Sequence, residues 1–396
     1  MSSADLAGDE RLHSLDILRG FALYGMVLVH FHQKMRIEAA GLEDLIGWGV
    51  WMFVEQKSWG TFAFLFGAGF AILLRRLESR GAPIAATYGR RMLALAAFGV
   101  VVELTTGFSI LFEYACWGTV LFLMRRWPTR MLLATAAFSA MARPVLLAWA
   151  AVQAARAGLE LPLPARVVLH RAAQAAEQGT DYGALLAVRW DQFAGKLPHA
   201  WRDLLPDANL TLLILGLLAV RHGLLQEPRR HARTIAAWMT FGALSWSLWW
   251  FVFRTGLGEP RSGADVLMAA VVGLTQEQWL CFTWMGALVL LLEFRPAWTE
   301  RLRAFGLAGR MALTQYALQA VVLDVLASGY GFGLKLRPFA YAPASLVLFA
   351  GQAALSAAWL SRFRFGPLEW LWRTITYASP QPMRRERNEP TARVAG

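Results

Sequence analysis

Three ionisable side chains, Asp16, Arg19 and His30, fall inside the first long apolar run of the chain. On an α-helix, at about 100° per residue, eleven positions bring Arg19 and His30 to within about 20° of each other. Asp16, three residues before Arg19, stands at ion-pair spacing. A carboxylate, a guanidinium and an imidazole thus share one stripe, with Arg19 and His30 roughly 16 Å apart along the axis. A charge at the bilayer centre costs about 2.5–3.5 kcal/mol, so each such group needs a partner or a task. One reading is structural: Asp16 and Arg19 pair near the inner interface, with Arg19 snorkelling. The other is chemical. An imidazole, with an ordinary pKa of about 6.5, takes up a proton, and a planar guanidinium holds a phosphate or carboxylate. His32 faces about 200° away from His30 and suits a plain interfacial role.

Further polar groups lie in or at the ends of later apolar runs: Lys57, Glu103, Glu113, Arg143 before Pro144, and Asp324. They either neutralise one another as a structural network or line a polar cavity near His30. Gln315 and Gln319, four apart, are placed to hydrogen-bond across helices, and Gly67 and Gly69 to let helices approach closely. The glycine-rich run 329–333 reads as a turn outside the membrane. It does not lie between a strand and a helix, which excludes a dinucleotide site.

The elements that must position these groups follow from composition. The 396 residues are 57% hydrophobic and 17% charged, with a mean hydropathy of +0.40. A soluble domain averages about 45–50% apolar and about 25% charged, so disorder, a coiled coil and a nucleic-acid-binding domain are excluded. The net charge of +12 is spread as short basic clusters between apolar runs, the signature of membrane topology rather than of a phosphate groove. Cys116 and Cys281 both sit in apolar runs, which leaves neither a disulfide framework nor a zinc site.

A span needs about 20 largely apolar residues. Runs at 15–33, 57–74, 91–107, 108–124, 131–152, 209–222, 233–254, 273–294, 310–328 and 340–360 predict an all-α, polytopic transmembrane bundle of about 10 helices, with Ile46–Val54 a re-entrant or interfacial piece. With the amino terminus inside, the inner segments carry twice as many basic residues as the outer ones, which puts both termini in the cytoplasm and the protein in the inner (plasma) membrane. Asp16 and Arg19 interrupt the first run, and no small-residue cleavage site follows, so it does not read as a signal peptide. A single domain is expected over 1–378. Within it, 153–208 reads as an extracytoplasmic insertion of amphipathic helices, broken by Pro162, Pro164 and Gly179 and resting on the membrane through Trp190, Phe193 and Trp201. The polar, Arg-rich 379–396 is expected to be a disordered cytoplasmic tail.

Several stretches carry a resemblance. Arg11-Leu12-His13-Ser14-Leu15-Asp16-Ile17-Leu18-Arg19-Gly20 resembles the opening of the YeiB-type bacterial multi-pass membrane proteins, a domain of unknown function, and Phe64 to Phe70 their second-span motif. Gly309 to Tyr316 and Gly366 to Arg373 resemble their carboxy-terminal signature. That family is grouped with the transmembrane acyltransferases, which include the lysosomal heparan glucosamine acetyltransferase and bacterial sugar O-acetylases. In the O-acetylase branch, an Arg followed by ten residues and an essential His marks the first span. Arg19 and His30 reproduce that spacing, whereas YeiB-type members more usually carry Asn at the His30 position. Where the family often has a His and an Asp near the third-to-fourth span turn, this chain has Val102 and Ser109, and Gln315 stands where Asn is common. Glu103 and Glu113 are the substitutes at hand.

The resemblance implies a membrane acyltransferase moving an acyl group from a cytoplasmic donor to a small-molecule, lipid-linked or extracytoplasmic acceptor. His30 would be the general base, Arg19 would bind the donor, Asp16 would orient Arg19, and Glu113 would complete the polar set. The donor would be acyl-CoA or another activated acyl carrier, with no metal and no nucleic acid involved. Intramembrane charges equally suit a transporter or flippase, and a non-catalytic scaffold is the third reading. The oligomeric state is not legible in the sequence.

Overall fold

The computed structural model describes residues 3–35, 37, 41–157, 175–199, 204–205, 207–255 and 277–385. Among these the chain is all-α, apart from one isolated antiparallel bridge between Phe363 and Arg384. The first apolar run becomes α1 (Ser3–Met35). The short α2 (Leu42–Val50) passes through a π turn (Trp51–Glu55) directly into α3 (Gln56–Ser79). Ile46–Val54 is therefore part of one long helical rod, Leu42–Ser79. Next come α4 (Ile84–Thr106), α5 (Leu111–Leu123), α6 (Thr129–Arg156), α7 (Tyr182–Lys196), α8 (Ala208–Arg221) and α9 (Ala232–Thr255). The carboxy-terminal part holds α10 (Leu280–Phe294), α11 (Ala297–Arg301), α12 (Arg303–Arg310), α13 (Ala312–Ala327), α14 (Tyr341–Arg362) and α15 (Pro367–Tyr377).

The expectation of about ten spans is corrected. Among the described residues, four helical stretches are long and apolar enough to cross a bilayer: His13–Met35, Leu42–Ser79, Ile84–Thr106 and Pro338–Arg362. Helices α5, α8, α10 and α13 are apolar but have only 13, 14, 15 and 16 residues. At about 1.5 Å per residue they reach roughly 20–24 Å, short of a hydrocarbon core of about 30 Å. Helices α6 and α9 are not among the four either. Helix α8 shows why apolar runs overcount. Leu210 to Ile214 and Gly216 to Val220 are all buried, so the helix is hydrophobic all round because protein encloses it.

The four long helices alternate in direction. Lys34, at the end of α1, donates to the carbonyl of Thr106 at the end of α4, and Leu336, just before α14, donates to Met35. These contacts mark one end of the bundle. At the other, Arg91 of α4 stacks on Trp372 of α15, the helix that follows α14.

Two interfaces depend on glycine. Helices α3 and α8 touch backbone to backbone: a Cβ on Gly67 would overlap the Leu213 carbonyl, and one on Gly216 the Phe64 carbonyl. Helices α1 and α12 do the same through Gly20, against the Phe305 carbonyl, and Gly309, against that of Asp16. Small residues allow this approach, and close dispersion contacts reward it. The α4–α5 turn uses Gly107 at φ +80°, left-handed backbone in which a side chain is strained.

Within the insertion, 158–174, 200–203 and 206, and with them Pro162, Pro164 and Trp201, lie outside the described residues. The described part is not simply laid along a surface. Leu185, Arg189 and Phe193, four apart on α7, are buried against the bundle end, while Trp190 stays exposed. The start of the expected tail is also docked. Trp370 Nε1 donates to the Gln381 carbonyl at 2.7 Å and Arg364 N to the Met383 carbonyl at 2.9 Å. Residues 386–396 lie outside the described residues.

Candidate functional site

The stripe on α1 forms as its spacing predicts. Arg19 Nη1 lies 2.7 Å from Asp16 Oδ1, one turn away on the same helix. The guanidinium then enters a cavity of about 370 Å³ lined by α1, α3, α4, α5, α12, α13 and α15. Gly69 lies beside it: a Cβ there would stand in ordinary contact with Arg19 Nη2, at 3.7 Å.

One end of the cavity is cationic. Arg76, Arg91, Arg310 and Arg373 join Arg19 in its lining, with Glu369 the one acid. Among the described residues only Arg19 of these five has a carboxylate within ion-pair distance. Arg91 is held flat on Trp372, 3.5 Å from the ring centroid, and Arg373 lies 4.4 Å from the Phe365 centroid. Such stacking fixes guanidinium planes while leaving N–H groups available.

Glu369 is occupied elsewhere. Its Oε1 accepts from the Leu313 and Thr314 amides at 2.7 and 3.0 Å, and its Oε2 meets the Thr314 hydroxyl at 2.5 Å. Helix α13 has no side-chain cap of its own at Met311, so the carboxyl from α15 satisfies amides that a helix start leaves open. The two carboxy-terminal motifs of the sequence are therefore halves of one joint.

His30 stands apart from this end. It is completely buried (0% exposed), 4.4 Å from the Phe108 ring and 6.3 Å from that of Tyr316, and neither ring nitrogen has a hydrogen-bond partner among the described residues. It does not line the cavity; Tyr316 does. The stripe thus runs from a guanidinium inside the cavity to an imidazole behind the cavity's aromatic wall. His32 packs edge-on against Tyr341, with centroids 5.8 Å apart.

Glu113 belongs to a different group. Lys196 of α7 pairs with Glu103 and lies 3.8 Å from Glu113. Asp324 anchors another network. Its Oδ1 lies 2.6 Å from Lys34 Nζ and 2.7 Å from Arg189 Nη2, and Tyr330 donates to its Oδ2 at 2.7 Å. Arg143 reaches Asp207 at 3.5 Å. Gln315 and Gln352 exchange side-chain-to-carbonyl bonds at 3.1 and 3.0 Å, joining α13 to α14. Among the described residues, no group of three or more His, Cys, Asp or Glu could hold a metal ion.

Sequence reasoning passed over Arg76 and Arg91, which it counted only as topology charges, and Arg310, Glu369 and Arg373. The last three lie inside the motifs that carried the resemblance, which was the signal available.

Comparison with known proteins divides the chain in two. Residues 11–173 match the family model described as heparan-alpha-glucosaminide N-acetyltransferase, catalytic. Residues 219–379 match the model of a protein family of unknown function, DUF418. The amino-terminal part of the chain is thus similar to an acyltransferase catalytic region. The cavity draws on both regions, with Arg19, Arg76 and Arg91 from the first and Arg310, Glu369 and Arg373 from the second. The uncharacterized protein YxaH of Bacillus subtilis is 28% identical over 96% of this chain and 97% of its own. An uncharacterized 39.9 kDa protein of Bacillus acidopullulyticus, from the region 3' of an amylase, is 26% identical over the same shares. The uncharacterized protein YeiB of Escherichia coli is 33% identical over 79 residues, 20% of each chain, so the specific YeiB likeness covers only a short stretch. No solved structure matches.

Proposed function

We propose that the protein is an integral membrane acyltransferase. The observation that carries this reading is the five-arginine cavity reached by Arg19, with His30 further along the same helix behind Tyr316. The arginines hold the phosphate-bearing group of an activated acyl carrier, acyl-CoA or another, and Asp16 fixes Arg19 in place. His30, whose ring nitrogens have no hydrogen-bond partner among the described residues, takes the proton from an acceptor hydroxyl or amine once the Tyr316 side of the cavity yields. The acceptor atom forms the bond to the acyl carbon, the bond to the carrier breaks with its electron pair, and His30 returns the proton to the carrier. Glu113, grouped with Lys196, lies off this route. In this reading the arginine end faces the cytoplasm, where activated acyl groups are made, and the His30 end faces an outer or lipid-linked acceptor.

The test is acyl transfer by the purified protein in a bilayer, with radiolabelled acyl-CoA and acyl-lipid donors offered against membrane extracts. A labelled product that disappears in Arg19→Lys supports the reading, because lysine keeps the charge but not the bidentate fork. Solute movement across the bilayer with no acylated product would replace it with a transporter.

A further inference from the structure

Beyond its cationic end, the cavity continues as an apolar shaft. Its wall follows α3 from Arg76 back to Trp59, about 25 Å at a rise of about 1.5 Å per residue. Met26, Phe62, Leu65, Phe66, Met92 and Leu95 supply much of the lining. Three tyrosine hydroxyls face the shaft, with Tyr377 beside Arg373 at the cationic end, and each of the three makes a hydrogen bond within the protein. Tyr88 donates to the Gly118 carbonyl at 3.2 Å, Tyr114 donates to that of Trp59 at 3.1 Å, and Tyr316 accepts from the Ile110 amide at 3.4 Å.

This distribution discriminates between carriers. Coenzyme A places a spacer with two amides between its phosphates and its acyl group. In this shaft those amides would lose water to a mainly apolar lining, a cost that opposes binding. A hydrocarbon joined directly to a phosphate head has no such spacer. Its chain gains from every apolar contact along the shaft, and its head meets a surplus of guanidinium groups.

We propose that the arginine-mouthed cavity binds a phosphate-headed lipid, with the phosphate among Arg19, Arg310 and Arg373 and the hydrocarbon running along α3 towards Trp59. This rests on the acyltransferase reading only in making that lipid the carrier whose phosphate the arginines hold; the binding itself stands on the cavity.

The experiment measures binding of radiolabelled dodecyl phosphate to the purified full-length protein in non-ionic detergent. Inorganic phosphate, dodecanol and acetyl-coenzyme A serve as competitors. Saturable binding is expected, competed by none of the three at equal concentration. Two variants separate the cavity from the micelle. Gly69→Leu adds bulk at the junction of head and shaft, on a helix that tolerates leucine, and Arg310→Gln removes one mouth charge. Each is expected to weaken binding at least tenfold while keeping the wild-type melting temperature. If either variant unfolds, the other still decides. Equal competition by acetyl-coenzyme A overturns the lipid assignment and leaves the acyltransferase reading intact. Equal competition by dodecanol or phosphate alone, or binding unchanged in the folded variants, also overturns it. Lipid binding without acyl transfer in the parallel transfer assay would instead sink the acyltransferase reading and spare this one.

Discussion

The Glu369 carboxyl, at the start of α15, meets the Thr314 hydroxyl at 2.5 Å and caps a helix more than fifty residues earlier in the chain. Burial raises this carboxyl above its ordinary pKa, while the hydroxyl and amide of Thr314 and the amides of Glu369 itself and Leu313 pull it back. A neutral side chain of the same shape therefore suffices. Glu369→Gln keeps an acceptor for both amides and a donor for Thr314, and is expected to melt close to wild type. Glu369→Ala leaves the amides open and is expected to cost about 1–3 kcal/mol. Thermal unfolding of the two variants checks this, and equal losses would show that the joint depends on the negative charge.

Asp324 is the hub of the network at the opposite end of the bundle, with a side chain 1% exposed between Lys34 and Arg189. Replacing it leaves Lys34 and Arg189 with Glu177 as their one remaining carboxylate among the described residues, whereas removing Lys34 leaves the Asp324–Arg189 pair in place. Asp324→Ala is expected to destabilise by about 3–5 kcal/mol, and Lys34→Met by clearly less. Chemical denaturation of both in the same detergent gives the ranking, and the reverse order would remove Asp324 from the centre of the network.

His30 and His32 separate packing from chemistry. His30→Ala is expected to reduce acyl transfer by about 10²–10⁴ with little change in melting temperature. His32→Ala, packed on Tyr341, is expected to keep most of the activity. Equal activity in the two variants, or unfolding of His30→Ala, would make the stripe structural.

The bundle ends predict the sidedness of two labels. Glu177 lies 2.9 Å from Lys34, at the end of α1 opposite Asp16, whereas the tail leaves from the bridge between Phe363 and Arg384. In a background without Cys116 and Cys281, a membrane-impermeant thiol reagent added to intact cells is expected to label Ala176→Cys and not Arg387→Cys. Labelling at the tail site would invert the orientation.

Local spacing made part of this site legible. The Asp16–Arg19 ion pair follows from three residues on one helix, and the bonds of Gln315 to α14 follow from an amide that must be satisfied away from water. The close approach of α3 and α8 was foreshadowed by Gly67. The carboxy-terminal motifs marked Arg310, Glu369 and Arg373 without revealing what they do, because a cap supplied from a distant helix leaves no local pattern.

What the sequence by itself determined is the class: an α-helical, lipid-associated chain with a charged stripe along its first helix, because composition and helical period are properties of neighbouring residues. Only the tertiary structure decided which apolar runs are long enough to cross a bilayer and which, like α8, are wrapped by protein. It also decided that Glu113 joins Lys196 rather than His30, and that Arg76, Arg91, Arg310 and Arg373 line the same cavity as Arg19. The physical reason is that hydropathy records a preference for leaving water without saying whether lipid or another helix replaces it. Depth and rotation, which choose a charge's partners, are set by close contacts such as Gly20 on Phe305 and Gly309 on Asp16.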